Sequence, residues 1–292
     1  DPPKFGQVQI SIKPKNGTYV SDFDKTQIKN KLKNYAIAGI NAEIVDLKIL
    51  YVELNSTIYY NPSQVASSSN LRTAIISSLN SYANNVEINK FGGRFKYSKL
   101  NTLIDRVDNG ITSNITKVII RRDLKALLNQ FAQYELCFGN RFYINPSGFN
   151  IKSTGFTVSG SNETAFLTDV PNKDAAGNLD GSMKGTLSVV FKNQRDKQQV
   201  LIKDAGIVDY KKGEIILNTI NITSTATQNN IIEVQAFPES NDVVGLKDLY
   251  LDFDVSKSTI NMFKDVIASG EDVSGIVFTR DYYTSSYSNG DL

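Results

Sequence analysis

Apolar residues in the first 120 positions recur at two different spacings, and the changes of spacing predict a small α+β domain. Val8, Ile10 and Ile12 alternate with polar residues, as in a strand that buries one face. Further along, apolar residues three or four positions apart are typical of helices that bury one side. The predicted elements are, in order, a strand at 8–12, a helix at 24–38, an extended run at 42–60, a helix at 71–82, a helix at 98–108 and a strand at 115–121.

Polar and glycine residues at the ends of these segments support the helices. Ser21 or Asp22 can cap the first helix, and residues 67–70 form a capping region for the second, because such side chains accept bonds from free backbone N–H groups. Gly110 is predicted to end the third helix in the left-handed conformation that glycine adopts without a steric penalty. The pattern therefore favours helices that cover one side of a small sheet.

After Asp123 the spacing changes to that of short strands separated by turns. A short helical or irregular connector is expected at 124–131, and a hairpin is expected to turn at 211–213. One late helix is predicted at 258–269, followed by a strand at 276–278 and a polar C-terminal tail. The strands predicted between them are at 141–144, within 148–160, and at 185–191, 200–202, 207–210, 214–217 and 231–237.

These patterns predict two domains of an α+β fold. A small split strand-helix sheet domain covers residues 1–123, and a mostly antiparallel β domain with one late helix covers 124–292. The polar segment 161–185 is expected to be a flexible surface loop. A calcium loop there would need a bidentate glutamate at its last position, and the two possible registers place Met183 or Leu187 at that position.

Composition argues against most enzyme classes. The chain has no histidine and a single cysteine, Cys137, so triads with a histidine base, intrachain disulfides and thiolate metal clusters are excluded. Two carboxylate pairs, Asp105 with Asp108 and Asp252 with Asp254, are a weak basis for a glycosidase. We therefore expect no catalytic residue, no cofactor, no metal and no small-molecule substrate.

Charge and hydropathy restrict the classes of partner that we expect for this chain. Lys plus Arg number 32 and Asp plus Glu 30, a balance that does not suit a nucleic-acid binder, and the pairs Arg121-Arg122 and Lys211-Lys212 are interpreted as solvated strand or turn ends. No run of 18 apolar residues is present, so no membrane span is expected. The start at Asp1 without a methionine suggests a fragment or a processed product.

The order of these elements resembles the baseplate J-like family of contractile-tailed bacteriophages, in particular the C-terminal part of its wedge-ring members in T4-like phages. The similarity covers most of the chain, closely over 5–123 and loosely afterwards, and no single motif is diagnostic. It rests on the strand 8–12, the helices 24–38 and 71–82, the pair Gly92-Gly93, the helix start 97–100, the run 109–123 and the stretch 145–156.

The resemblance implies a structural protein of the virion that is assembled in the host cytoplasm and resides in the tail baseplate. Family membership implies self-association as a dimer and then a ring, contacts with other baseplate wedge proteins, and rearrangement when the sheath contracts. It implies no catalytic residues. Neither nucleic acid nor membrane is expected as a partner.

The first candidate for an interface is the connector between the predicted domains, because it carries more leucine than a linker requires. A buried hinge at the same place is the alternative. A secreted or surface-displayed module that binds glycan or protein is the alternative function. The candidate interface residues are Leu124, Leu127, Leu128 and Phe131.

Overall fold

Two β-sheets carry most of the chain in the computed structural model, which describes residues 6–14, 20–35, 40–84, 87–193, 195 and 197–266. The helices are α1 (Asp22–Lys33), α2 (Ser68–Ala83) and α3 (Tyr97–Asp105). The strands of the first half are β1 (Gln7–Ser11), β2 (Asn41–Val45), β3 (Ile49–Tyr60), β4 (Arg94–Phe95) and β5 (Ile111–Lys125). Those of the second half are β6 (Phe131–Cys137), β7 (Lys152–Ser153), β8 (Phe156–Val158), β9 (Ala165–Pro171), β10 (Lys184–Lys192), β11 (Gln198–Asp209), β12 (Glu214–Thr225), β13 (Ile231–Ala236), β14 (Val243–Val244), β15 (Tyr250–Phe253) and β16 (Thr259–Lys264).

The described residues between 6 and 45 form a small β-α-β unit. β1 and β2 pair in parallel, and α1 connects them. Ser21 caps α1 as predicted, since its Oγ accepts a bond of 3.1 Å from the amide of Asp24. The helix ends at Lys33 rather than at 38, and none of its residues is buried. The unit therefore keeps much of its apolar surface exposed.

A mixed sheet with helices α2 and α3 forms the centre of the molecule. Its order is β15-β3-β5-β13-β7, and β16 also pairs with β3. β3 and β5 are antiparallel, whereas β15 and β16 run parallel to β3. The predicted apolar stripes of both helices are confirmed, because their residues join the core with those of the sheet. The buried stripe residues are Leu71, Ile75 and Leu79 of α2 and Leu100 and Ile104 of α3.

Two expectations for this half are wrong in detail. The extended run predicted at 42–60 is interrupted at 46–48, because Asp46 turns outward to Lys25 (2.6 Å) and β2 and β3 belong to different sheets. Gly110 is not left-handed. Glycine is needed there because the backbone lies close to Val65, and a Cβ would be only 2.5 Å from its Cγ2.

The second sheet is a closed barrel. β8, β9, β10, β11 and β12 pair in sequence, all antiparallel, and β12 pairs again with β8. β6 adds to β12 as a sixth strand. The predicted hairpin is confirmed as the β11–β12 turn, where Gly213 has a φ of 66°. Closure satisfies the strand edges that an open sheet would leave exposed.

The β half also departs from the pattern in three places. The segment 161–185 is not a loop throughout, because β9 lies within it and separates the exposed residues 162–164 from the exposed residues 172–182. Residues 259–264 of the late helix predicted at 258–269 form the strand β16, whose Ile260 is buried against the core, and residues 267–269 lie outside the described residues. Residues 141–144 form no strand beyond a single bridge at Phe142. The strand predicted at 276–278 and the C-terminal tail lie outside the described residues.

The α+β fold with a mostly antiparallel second part is confirmed. The division into 1–123 and 124–292 stays a prediction, and two observations bear on it. β5 runs on to Lys125, and β7, β13, β15 and β16 return to the sheet that contains β3 and β5. Buried residues of both sheets form one contiguous core.

Asp169, placed by the sequence in a flexible loop, is instead fully buried in the barrel. Its Oδ1 accepts a bond of 2.7 Å from the amide of Ile151, and its Oδ2 accepts one of 2.7 Å from the hydroxyl of Tyr210. Burial raises the pKa of Asp169, and these bonds oppose the rise. Burial and the Asp169 charge together raise the pKa of Tyr210. The pair joins β9 to the β11–β12 hairpin.

We expect Tyr210→Phe to lower the free energy of unfolding by about 1–3 kcal/mol, because it leaves a buried carboxylate oxygen without its donor. Urea denaturation at neutral pH measures this. Tyr143→Phe is the matched control, since Tyr143 is 41% exposed, and we expect a change within about 0.5 kcal/mol. Equal effects of the two substitutions would contradict a structural role for the Asp169–Tyr210 bond.

Candidate assembly surface

Two of the four candidate interface residues pack against the core, and the other two are exposed. Leu124 is buried at the end of β5, and Leu128 packs half-buried against the core. Leu127 and Phe131 are 51% and 75% exposed. The connector is thus an irregular turn between β5 and β6 that offers two apolar side chains to solvent, and we call Leu127 and Phe131 the turn patch.

Hydrogen bonds hold this turn in one shape. The amide of Leu127 donates to the hydroxyl of Tyr134 at 3.0 Å, and the amide of Ala126 donates to the carbonyl of Asn230 at 2.7 Å. Asn129 adopts a φ of 58°, a left-handed conformation that asparagine tolerates. A patch on a turn held in this way loses little conformational freedom when it binds.

Arg121 and Arg122, interpreted from the sequence as solvated, are both buried, at 2% and 7% exposure. The guanidinium of Arg121 stacks on the ring of Tyr51, with Cζ 4.0 Å from the ring centroid. Nη1 of Arg122 donates to the carbonyl of Cys137 at 2.7 Å. The expectation fails because a strand in the middle of a sheet is covered on both faces, so even its charged residues are enclosed.

Four carboxylates surround Arg121, and we call this arrangement the Arg121 cluster. They come from three strands and from the loop that follows β15. The contacts are Nε to Glu53 at 2.5 Å, Nη1 to Asp123 at 2.6 Å and to Glu233 at 3.3 Å, and Nη2 to Asp254 at 3.1 Å.

The Arg121 cluster fixes the loop between β15 and β16. β15 pairs with the start of β3 and β16 with its end, so residues 254–258 must bulge out of the ladder. Asp254 binds Arg121, Lys257 binds Glu233, and the Oγ of Ser258 accepts a bond of 3.0 Å from the amide of Leu54. These contacts tie the last described part of the chain to β3, β5 and β13.

Negative charge exceeds positive charge around the cluster. Burial raises the pKa of Glu53 and Asp123, although the charge of Arg121 opposes the rise. Asp252 and Asp254 both line a cavity of about 480 Å³ beside Arg121. Burial raises the pKa of Asp252 as well. The desolvation of Arg121 tends to lower its pKa, but the surrounding carboxylates outweigh it and the pKa is raised.

The chemistry of this arrangement is structural. In the part of the chain that the structure describes, no three acidic or cysteine side chains converge to hold a metal ion. Of the two carboxylate pairs considered above, Asp252 and Asp254 both line the cavity beside Arg121. In the other pair, Asp105 accepts a bond of 3.2 Å from the side-chain amide of Asn114, and Asp108 accepts one of 2.7 Å from the backbone amide of Gly110. Among the described residues, no helix is long and apolar enough to cross a membrane.

We expect Arg121→Met to destabilise the protein by about 3–5 kcal/mol, because it leaves several buried carboxylates without their cation. Thermal or urea denaturation measures this. Arg141→Met is the control, since Arg141 and its partner Glu239 are about half exposed and 3.5 Å apart, and such pairs contribute roughly 0–1 kcal/mol. A loss at Arg121 no larger than that at Arg141 would contradict the structural role of the cluster.

We expect Asp252→Asn to raise the melting temperature at pH 7, with a smaller gain at pH 4. The pKa of Asp252 is raised in the folded protein, so its charge destabilises the fold when pH lies above that pKa. Below the ordinary carboxyl pKa the group is protonated in both states, and the difference disappears. Melting curves across this pH range test the sign. Asp248→Asn, at an exposed position, is the control for the amide substitution itself, and an equal gain from Asp252→Asn at pH 4 and pH 7 would contradict the prediction.

Comparisons with known proteins cover the first part of the chain. Residues 1–45, the β-α-β unit, match the family model described as baseplate structural protein gp6, C-terminal domain I. Residues 48–123, from β3 through most of β5, match the model for C-terminal domain III of the same protein. Together the two matches include the closely resembling region 5–123.

A curated relative gives the same result. The baseplate wedge protein gp6 of Enterobacteria phage T4 is 29% identical over 127 residues, which is 43% of this chain and 19% of the relative. The chain thus spans about a fifth of the length of that relative. The predicted resemblance to the C-terminal portion of a baseplate wedge protein is confirmed over these residues, and the chain is similar there to a Gp6-like structural protein of the phage tail baseplate.

Proposed function

We propose that this chain associates with itself, first as a dimer and then in a ring, and that it also contacts other wedge proteins of the baseplate. The observation that carries the proposal is the turn patch. Leu127 and Phe131 are strongly exposed, yet the turn between β5 and β6 that presents them is held by bonds from the backbone amides of Ala126, Leu127 and Asn129. Exposed apolar side chains on a rigid support are typical of the central contacts of an interface.

The position of the turn patch suits a protein that assembles without refolding. The turn joins the mixed sheet to the barrel, and its anchors Leu124 and Leu128 remain in the core. A partner that binds Leu127 and Phe131 therefore contacts both sheets at their junction. The relative's printed name, a baseplate wedge protein, agrees with partners inside the wedge.

Rearrangement on sheath contraction is the second part of the proposal. Contacts that break and reform must be weaker than the interior of the subunit. Here the interior is held by one contiguous core and by the buried Arg121 cluster, whereas the turn patch adds only two apolar side chains. Such a subunit can exchange neighbours while it keeps its own fold.

We expect Phe131→Asp and Leu127→Asp to weaken self-association roughly 30-fold or more, as loss of a central contact worth about 2 kcal/mol would do. Light scattering over a series of concentrations, with circular dichroism to verify folding, measures this. Ile207→Asp is the matched control, since Ile207 is 53% exposed on β11, away from the turn. We expect it to associate like the wild type.

Two outcomes would separate the parts of this proposal. A wild-type chain that stays monomeric at every concentration and binds no wedge protein would refute self-association and wedge contact together. A wild type that associates, with both aspartate variants unaffected, would refute only the assignment of the contact to the turn patch.

A further inference from the structure

The sheet of the β-α-β unit has only two strands. β1 and β2 pair with each other, and no described strand pairs with the outer edge of either. α1 lies against β2, but none of its residues is buried. Two strands alone are marginally stable in water, and further strands or a packed helix are normally needed. A strand added at one of the outer edges would therefore stabilise the unit.

The outer edge of β1 presents the backbone groups of every second residue. The amide of Asn41 donates to the carbonyl of Gly6 at 2.7 Å, which fixes the direction of the β1–β2 ladder. Because the N–H and C=O groups of successive residues point to opposite sides of a strand, those of the even-numbered residues of β1 face β2. The outward groups belong to Gln7, Gln9 and Ser11.

β1 lacks the features that protect exposed strand edges. Such edges commonly carry a charged side chain, a proline or a bulge, each of which hinders pairing with another chain. β1 contains neither a charged residue nor a proline, and its register with β2 is unbroken. Its first three residues, 7–9, are all exposed. The edge is therefore open to a further strand, and backbone pairing of this kind is a common mode of recognition.

The sequence of β1 complements itself in an antiparallel pair. In the register that pairs the whole strand, Gln9 lies opposite Gln9 of a second copy, and Gln7 lies opposite Ser11. These are hydrogen-bonded positions, so all outward backbone groups of both copies find partners. On the other face, Val8, which is 48% exposed, lies opposite the half-buried Ile10. Apolar cross-strand pairs stabilise a sheet, and this register opposes no like charges.

The outer edge of β2 complements itself less well. The register that pairs all of β2 with itself would place Glu43 opposite Glu43 of the second copy. Like charges directly opposite each other destabilise a sheet. Charge therefore favours the edge of β1 over that of β2.

We propose that β1 pairs with β1 of a second copy, antiparallel and centred on Gln9, to form a four-stranded sheet in the order β2-β1-β1-β2. This inference rests on the self-association proposed above and assigns the contact that closes the dimer. Both copies contribute the same surface, so the contact is two-fold symmetric and stops at two copies. The turn patch consists of other residues, which leaves it available to join dimers to one another.

Disulfide trapping tests this register with the full chain, because a ladder of five residues is short and can dissociate. In a Cys137→Ser background, Gln9→Cys places the two introduced thiols at the two-fold axis. The Cα atoms of a hydrogen-bonded antiparallel pair lie about 5.5 Å apart, a distance that a disulfide spans. Mild oxidation should therefore convert most of the chain to a covalent dimer.

Gln7→Cys in the same background is the matched control. Gln7 is exposed on the same strand, but in this register it lies opposite Ser11 and far from Gln7 of the second copy. A disulfide between the two introduced thiols is then out of reach, and we expect about tenfold less covalent dimer or lower.

A second variant tests the backbone contact without a thiol. Gln9→Pro removes an outward N–H and leaves the β1–β2 ladder in place, since proline is tolerated where the N–H faces a strand edge. We expect self-association about tenfold weaker in light scattering, with unchanged circular dichroism. Ala42→Pro is the matched control, because the same alternation directs the amide of Ala42 to the outer edge of β2, and it should associate like the wild type.

The outcomes separate this contact from self-association in general. Equal amounts of covalent dimer from Gln7→Cys and Gln9→Cys would overturn the proposal, as would a Gln9→Pro variant that associates like the wild type. Cross-linking of Gln9→Cys only to another wedge protein would assign the edge to that partner and refute pairing between copies. If the wild type self-associates but Gln9→Cys gives no dimer, pairing at β1 is wrong while self-association stands. If the wild type is also monomeric, both proposals fail.

Discussion

The buried guanidinium of Arg121 is the interaction on which the central sheet depends. It joins Glu53 of β3 and Asp123 of β5 to Glu233 of β13 and to Asp254 in the loop after β15. Removing charges from water is costly, so this cluster is stable only while every member keeps its partners. It therefore favours one arrangement of strands that are far apart in the sequence. The same side chains hold the bulge at residues 254–258 between β15 and β16 in place.

The dependence on long-range partners explains which elements the sequence could predict. α2 and α3 were predictable because their apolar stripes and caps are local features. β16 was not, because the spacing of Ile260 and Phe263 suits a helix equally well, and pairing with β3, some 200 positions earlier, decides between the two. Arg121 was misread for the same reason. Its sequence neighbourhood contains only Asp123 of its four carboxylates, and the other three come from residues 53, 233 and 254.

The candidate surfaces show a second limit of sequence patterns. The leucines of the connector drew attention to the turn between β5 and β6, but spacing alone could not separate the buried Leu124 from the exposed Leu127 and Phe131.

Interior and surface thus have different tasks in the proposed ring subunit. Satisfied buried charges, such as the Arg121 cluster and the Asp169–Tyr210 pair, are lost only by breaking several bonds at once, so they keep the fold of the subunit intact. Contacts made by exposed aromatic side chains depend on area and shape, and each can release without disturbing the bonds beneath it. The contact proposed at the turn patch is of this second kind, because Leu127 and Phe131 are exposed while Leu124 and Leu128 of the same connector pack in the core. A subunit built in this way can exchange neighbours while its own fold stays intact.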